Sequence, residues 1–234
     1  MEPLLDARNE SLWKELNENY TIKLEPSLNG EYGCYSQGKE ITFFINESNP
    51  CLDSFTHELL HVYLRLNDLY VGAGLKNTIA GSNILKAVFS DPLLEHIGNS
   101  LDHIKMLPLY LEMGFDREKF LLDYHTDKCL DSEVKQLKQY YKTGKNFNFR
   151  IVDNYLGKLF AVFTDPNPAF TYSIQKEQLK KIDPFLYSAT QKMVNHWKKV
   201  EISAGDGLSN TYHEVVFSYY QDLKKWISLN KITR

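Results

Sequence analysis

Cysteine is scarce in this chain: Cys34, Cys51 and Cys129 are the only three among 234 residues. An odd number at wide spacing excludes a disulfide framework and any C-x-x-C metal or redox motif. The three read as reduced thiols of a cytoplasmic protein. A charge excess of one sign is also lacking. With 27 Lys and Arg against 30 Asp and Glu, the formal net charge is −3, whereas a nucleic-acid binder would usually be basic. No apolar run is long enough to span a bilayer, so no membrane partner is expected. The start, Met1-Glu2-Pro3-Leu4-Leu5-Asp6, has neither the basic beginning nor the apolar core of a signal peptide. Repeats and low-complexity tracts are absent. Aromatic residues are abundant instead, with 15 Tyr and 13 Phe, which suits a packed core and argues against disorder.

The chemistry concentrates in Phe55-Thr56-His57-Glu58-Leu59-Leu60-His61-Val62. This is H-E-x-x-H in a helical context, with a helix predicted from Pro50 to Leu66, capped by Asn49 and with Pro50 in its first turn. Histidines at i and i+4 share one helical face, close enough to hold one zinc ion. The glutamate between them can reach a water on that zinc and take its proton. With this motif the sequence resembles the zincin metallopeptidases. The resemblance covers the motif helix, the strands before it and one helix after it.

A catalytic zinc needs a third protein ligand and an open position for water. The helix expected after Asp91 offers Glu95, Asn99 and His103 at i, i+4 and i+8, a polar stripe on one face of an otherwise apolar segment. Two assignments stay open. In the gluzincin branch of the family the third ligand is a Glu on a later helix, which would be Glu95; Asn99 then stands where the family usually has Asp. Alternatively His103 is the ligand, with Asn99 or Asp102 orienting a ring. The metzincin extension needs a glycine and a histidine where this chain has Leu64 and Asn67.

Around the motif the hydrophobic period predicts an α+β protein: a small antiparallel sheet, the motif helix, and a mostly α-helical C-terminal part. A helix over Leu5 to Asn19 precedes strands at Tyr20–Glu25, Glu31–Ser36 and Ile41–Ile45, joined as a meander. A sheet placed there is what the zincin resemblance implies, and the family's edge strand commonly holds an extended substrate. Asn67 to Gly81 reads as a glycine-bearing loop and Ser82 to Phe89 as a short helix. Pro108 should kink or break the helix that starts near Asp91. Further helices are predicted at Arg117–Tyr124, Ser132–Lys142, Arg150–Phe163, Ser173–Ile182, Pro184–Val200 and Thr211–Leu229. One zincin-like domain over 1–234 is expected, with 1–114 carrying the sheet and metal-site helices and 115–234 a helical subregion. Thr164–Pro168 and Ser203–Ser209 are the loosest connections.

The function these residues point to is a zinc-dependent peptidase acting on a peptide or protein, with Glu58 as general base. Zincins often stabilise the oxyanion with a Tyr or His from the C-terminal part, which makes Tyr212-His213, and His213 in particular, the candidate. A non-catalytic zinc-binding module, or a helical interaction protein, is the competing class.

Overall fold

A computed structural model describes residues 2–202 and 212–232. The chain forms two compact units. One is built from the chain up to Leu69 together with Lys105–His125; the other from Tyr70–Ile104, Thr126–Glu201 and the C-terminal helix.

In the first unit, helix α1 (Glu10–Asn19) leads into β1 (Thr21–Pro26), β2 (Gly33–Gln37), β3 (Glu40–Ile45) and the motif helix α2 (Leu52–Leu66). Helix α1 starts later than Leu5 because Asp6 to Asn9 form a turn, in which Asn9 Oδ1 accepts from Asp6 N. Asn9 Nδ2 also donates to Thr56 Oγ1 of α2 at 2.8 Å, tying the two helices. The strands do not form a meander. β3 lies in the centre, parallel to β1 and antiparallel to β2. β3 is the most apolar strand, with Ile41 and Phe43 fully buried, whereas β1 and β2 are largely exposed. The strand with most to bury therefore takes the position bonded on both sides. Gly38 and Lys39 close a two-residue β2–β3 hairpin in which Gly38 has φ +60°, a conformation glycine adopts at little cost. Asn29-Gly30 turns the chain but does not pair its flanks: Ser27, Asn29 and Glu31 bond within a loop.

Phe43 meets Phe55 of α2 edge-on at 5.4 Å, and Trp13 of α1 packs on both. This aromatic cluster presses α2 onto the sheet. Helix α2 begins at Leu52, with Cys51 as its N-cap, so Asn49 and Pro50 stay outside it. Its core face carries Phe55, Leu59, Leu60, Val62 and Leu64, each buried to within 1 %. Burial of such side chains contributes about 1.5–3 kcal/mol apiece.

The second unit is helical apart from a short hairpin, β4 (Lys142–Thr143) and β5 (Asn146–Phe147). It holds α3 (Val71–Ala80), α4 (Asn83–Val88), the first part of α5 (Asp91–Glu112), α6 (Asp131–Tyr140), α7 (Phe149–Thr164), α8 (Ser173–Ile182), α9 (Pro184–Lys199) and α10 (Tyr212–Leu229). Three sequence expectations change. The stretch read as a loop before Gly81 is α3; a Cβ on its Gly72 would lie 3.0 Å from Gly98 Cα, so its glycines serve close helix packing. Helix α5 continues past Pro108, whose side chain is exposed. The segment Arg117–Tyr124 holds only a 3-10 turn, Arg117–Lys119, because Asp116 caps a single turn and Phe120 then leaves it for the core. Ser203–Ser209 lies outside the described residues. Among the described residues no helix is long and apolar enough to cross a membrane.

Asp183 knits the second unit together. Its Oδ1 accepts Phe185 N and Leu186 N at the start of α9. Its Oδ2 accepts Tyr141 Oη at 2.9 Å and Trp226 Nε1 at 2.8 Å, and its carbonyl accepts Tyr155 Oη. Asp183→Ala strips four donors of their acceptor and should lower stability by about 3 kcal/mol or more, against about 1 kcal/mol for Tyr141→Phe. Urea denaturation of the two variants, compared at equal m-value, measures the difference.

Candidate metal centre

Helix α2 carries His57 and His61 one turn apart, and their rings meet at 5.0 Å between centroids. His61 is buried and His57 half-buried. The wall above His57 is the segment after the Arg117–Lys119 turn: the Phe120 ring stands 4.9 Å from the imidazole, and the Phe120 backbone engages it by a hydrogen bond. One turn earlier on α2, Asp53 accepts from Tyr110 Oη at 3.0 Å and lies 3.7 Å from Lys119 Nζ. These two contacts hold the end of α5 and the Phe120 segment against the motif helix.

His103 stands on α5, two turns ahead of Tyr110 on the same helical side. The candidate ligand atoms of His57, His61 and His103 all lie within 4.8 Å of one another. A tetrahedral zinc with Zn–N of about 2.0–2.1 Å needs its nitrogens roughly 3.4 Å apart. Imidazole is a preferred zinc donor, and a metal-bound histidine commonly gives its second ring nitrogen to a backbone carbonyl. The Phe120 contact to His57 is of that kind. The three residues could therefore hold a metal ion, and their donor type suits zinc.

Glu95 does not join the three histidines. It lies eight residues before His103, about 12 Å along the helix, and is exposed, as is Asn99. Asp102, beside His103, is buried. His213 is exposed at the first turn of α10, while Tyr212 beside it is buried and packs against Gly74.

Electrostatics set the three motif residues apart. Burial and the neighbouring His61 lower the His57 pKa from 6.5 to about 3, so the ring stays neutral and available as a donor. Burial raises the Glu58 carboxyl, opposed by His61 and by a hydrogen bond from Cys34. Cys34 lies on β2, which packs against α2. The sequence offered no sign of that contact, since the two residues are 24 apart and on different elements. A cleft of about 190 Å³ opens beside Glu58 and His57, lined also by Tyr32, Ser54 and the Lys119–Leu122 segment. Tyr32 was likewise not legible as a site residue; only its place in the loop before β2 brings it there. A larger groove of about 550 Å³ lies in the second unit, where His96 contacts the Gly157 carbonyl and Lys158 pairs with Glu133.

Compared with protein-family models, curated proteins and solved structures, the chain matches none.

Two outcomes follow for the centre. Protein prepared without a metal-binding tag should carry about one zinc per chain by elemental mass spectrometry. Glu95→Ala should leave that stoichiometry and affinity unchanged, whereas His103→Ala should weaken binding beyond the roughly 10–100-fold that loss of a supporting group costs. The second outcome concerns the metal-free protein. His57 is held neutral in the fold, so the stability it contributes is complete above the ordinary value of 6.5. Below that pH the unfolded chain binds the proton first, and stability declines as pH falls toward about 3. Between pH 7 and 5 the loss should be on the order of 1–2 kcal/mol and should shrink in His57→Asn. Denaturant midpoints at the two pH values measure it.

Proposed function

We propose that this protein is a zinc-dependent peptidase, of the general kind its H-E-x-x-H helix resembles. The observation that carries the proposal is the composition of the centre: three imidazoles converge, and among the described residues no fourth His, Cys, Asp or Glu joins them. Three ligands with one open position is the pattern of a catalytic zinc site, whereas a structural site fills all four. Zinc bound there would supply a Lewis acid that activates a water and polarises a carbonyl.

The chain's own residues take the remaining roles. Glu58 sits between the two ligating histidines, is not one of the group, and has its carboxyl raised by burial. A carboxylate with a raised pKa is a better proton acceptor at neutral pH. Glu58 accepts a proton from the attacking water and delivers it to the leaving amine, so the C–N bond breaks with a neutral leaving group. His57 and His61, set by α2, and His103, set by α5, fix the reacting centre against Glu58. A peptide is the substrate class favoured by the sheet: β2 is an edge strand beside the motif helix, with one side unpaired by other strands, and an edge strand can pair with an extended chain. The three cysteines form no disulfide, which fits a reducing compartment such as the cytoplasm.

Glu58→Gln is isosteric and cannot accept the proton. It should retain zinc while losing at least roughly 10²-fold in kcat on an unfolded casein-like substrate or a peptide library. Zinc-loaded Glu58→Gln protein that hydrolyses as fast as the wild type would sink the proposal.

A further inference from the structure

The net charge of −3 averages unlike parts of the chain. The segments of the second unit carry 19 Lys and Arg against 13 Asp and Glu, so that unit is cationic where the whole chain is acidic. The excess gathers in 134–152, which holds Lys135, Lys138, Lys142, Lys145 and Arg150 and no acidic residue. All five cations are exposed, and among the described residues none of them pairs with a carboxylate. The acids nearest the run are engaged elsewhere. Glu133 pairs with Lys158 at 2.7 Å, Asp153 accepts from Ser90 N, and Asp183 holds Tyr141 and Trp226.

These cations stand on a firm base. Lys135 and Lys138 are i and i+3 on α6 and so share a side of it. Lys142 and Lys145 belong to the β4–β5 hairpin, which turns at Gly144 with φ +63°. Phe147 pins that hairpin to the core: its ring meets Tyr141 at 5.7 Å and Trp226 at 5.0 Å, and Lys142 Nζ lies 4.0 Å over it. Arg150 stands in the first turn of α7. Among them is Tyr140, the last residue of α6, which is 52 % exposed. Tyr140 also borders the groove of about 550 Å³, where Leu93, Leu137 and Ile151 supply apolar surface. Gln136 and Asn154 add side-chain amides that no protein group engages among the described residues.

This combination selects a class of partner. Four of the five cations are Lys, which meets a phosphate as a point charge, whereas the Arg fork suits a carboxylate. An exposed aromatic ring beside a cationic surface is a platform on which an unpaired base can stack, and amides can bond to base edges. An acidic peptide would use the cations and leave the ring and the groove idle. A duplex keeps its bases inside the stack.

We infer that this face of the second unit binds single-stranded nucleic acid, with its phosphates along the five cations and a base stacked on Tyr140 at the groove. The inference stands apart from the peptidase proposal and needs no zinc. The acidic charge of the whole chain does not oppose it, because screening confines a phosphate to charges within about 10 Å.

Fluorescence anisotropy of the full chain tests it, using labelled RNA and DNA oligomers of about 12 nucleotides, a length within the site sizes of single-strand binders. Between about 50 and 200 mM salt, affinity should fall roughly 50–100-fold, as contact with four or five phosphates of a single strand requires. Lys138→Gln combined with Lys145→Gln should weaken binding and lower the salt slope by about 1.4. Tyr140→Ala should weaken binding at least about 5-fold and leave the slope unchanged. Lys14→Gln, exposed on α1 of the other unit, should change neither. All four positions are exposed, so these variants keep the fold. A preference for RNA or for DNA names the sugar, and equal affinity means that the sugar is not read; each supports the inference. Polyglutamate bound as tightly as the oligomers would make the face a site for acidic proteins and overturn it. Tighter binding of a duplex, wild-type affinity in Tyr140→Ala, or no binding of either oligomer at about 50 mM salt would overturn it equally.

Discussion

The centre depends on one constraint: two imidazoles on a single helix can hold a metal only when a third donor arrives from elsewhere at a fixed distance. Helix spacing sets the pair, and nothing within α2 supplies the third. His103 of α5 is the candidate for that donor, and two turns further along α5 Tyr110 is bonded to Asp53 of α2. Asp53 and His57 are i and i+4 on α2, so the same face that presents the metal pair also anchors the helix that presents His103. Burial of the Tyr110 phenol and its bond to the Asp53 carboxylate push its pKa upward, which keeps it a donor at any physiological pH.

The sheet is the second support of the same geometry. Phe43 on β3 and Phe55 on α2 stack through their edges, with Trp13 closing the cluster. Because Phe55 lies three residues before Glu58, the face that enters the core and the face that carries the carboxylate are fixed together. β2 then reaches α2 from its edge position, and Cys34 bonds to Glu58. A central strand of high apolar content thus determines which side of an exposed edge strand meets the motif.

Much of this was legible in the chain. The i, i+4 histidines with an intervening Glu, the apolar face of α2 and the helix beginning at Pro184 all follow from local rules, and the structure has each. Strand order was not legible, because Asn29-Gly30 has the chemistry of a hairpin turn, and only the competition among three strands for the central place decides otherwise. The glycines of α3 looked like loop residues; their role is contact with Gly98, a partner 26 residues from Gly72. The choice between Glu95 and His103 was half legible. At about 1.5 Å rise per residue, two groups eight residues apart cannot both enter one coordination sphere, and spacing along one helix does not say which of them stands with His57 and His61.

The same separation of local from tertiary information bears on whether the centre is a site of chemistry or only of binding. Metal ligation asks for neutral nitrogens, which burial of His57 supplies and which a purely structural site would equally need. Chemistry asks in addition for a group that is near the metal yet outside its coordination, poised to exchange a proton. In the proposed peptidase Glu58 would be that group: burial raises its carboxyl, Cys34 bonds to it, and the group of three histidines does not include it. A structural site gains nothing from burying a carboxylate at a cost of desolvation; in the proposed peptidase, the open cleft beside Glu58 gives that cost a use.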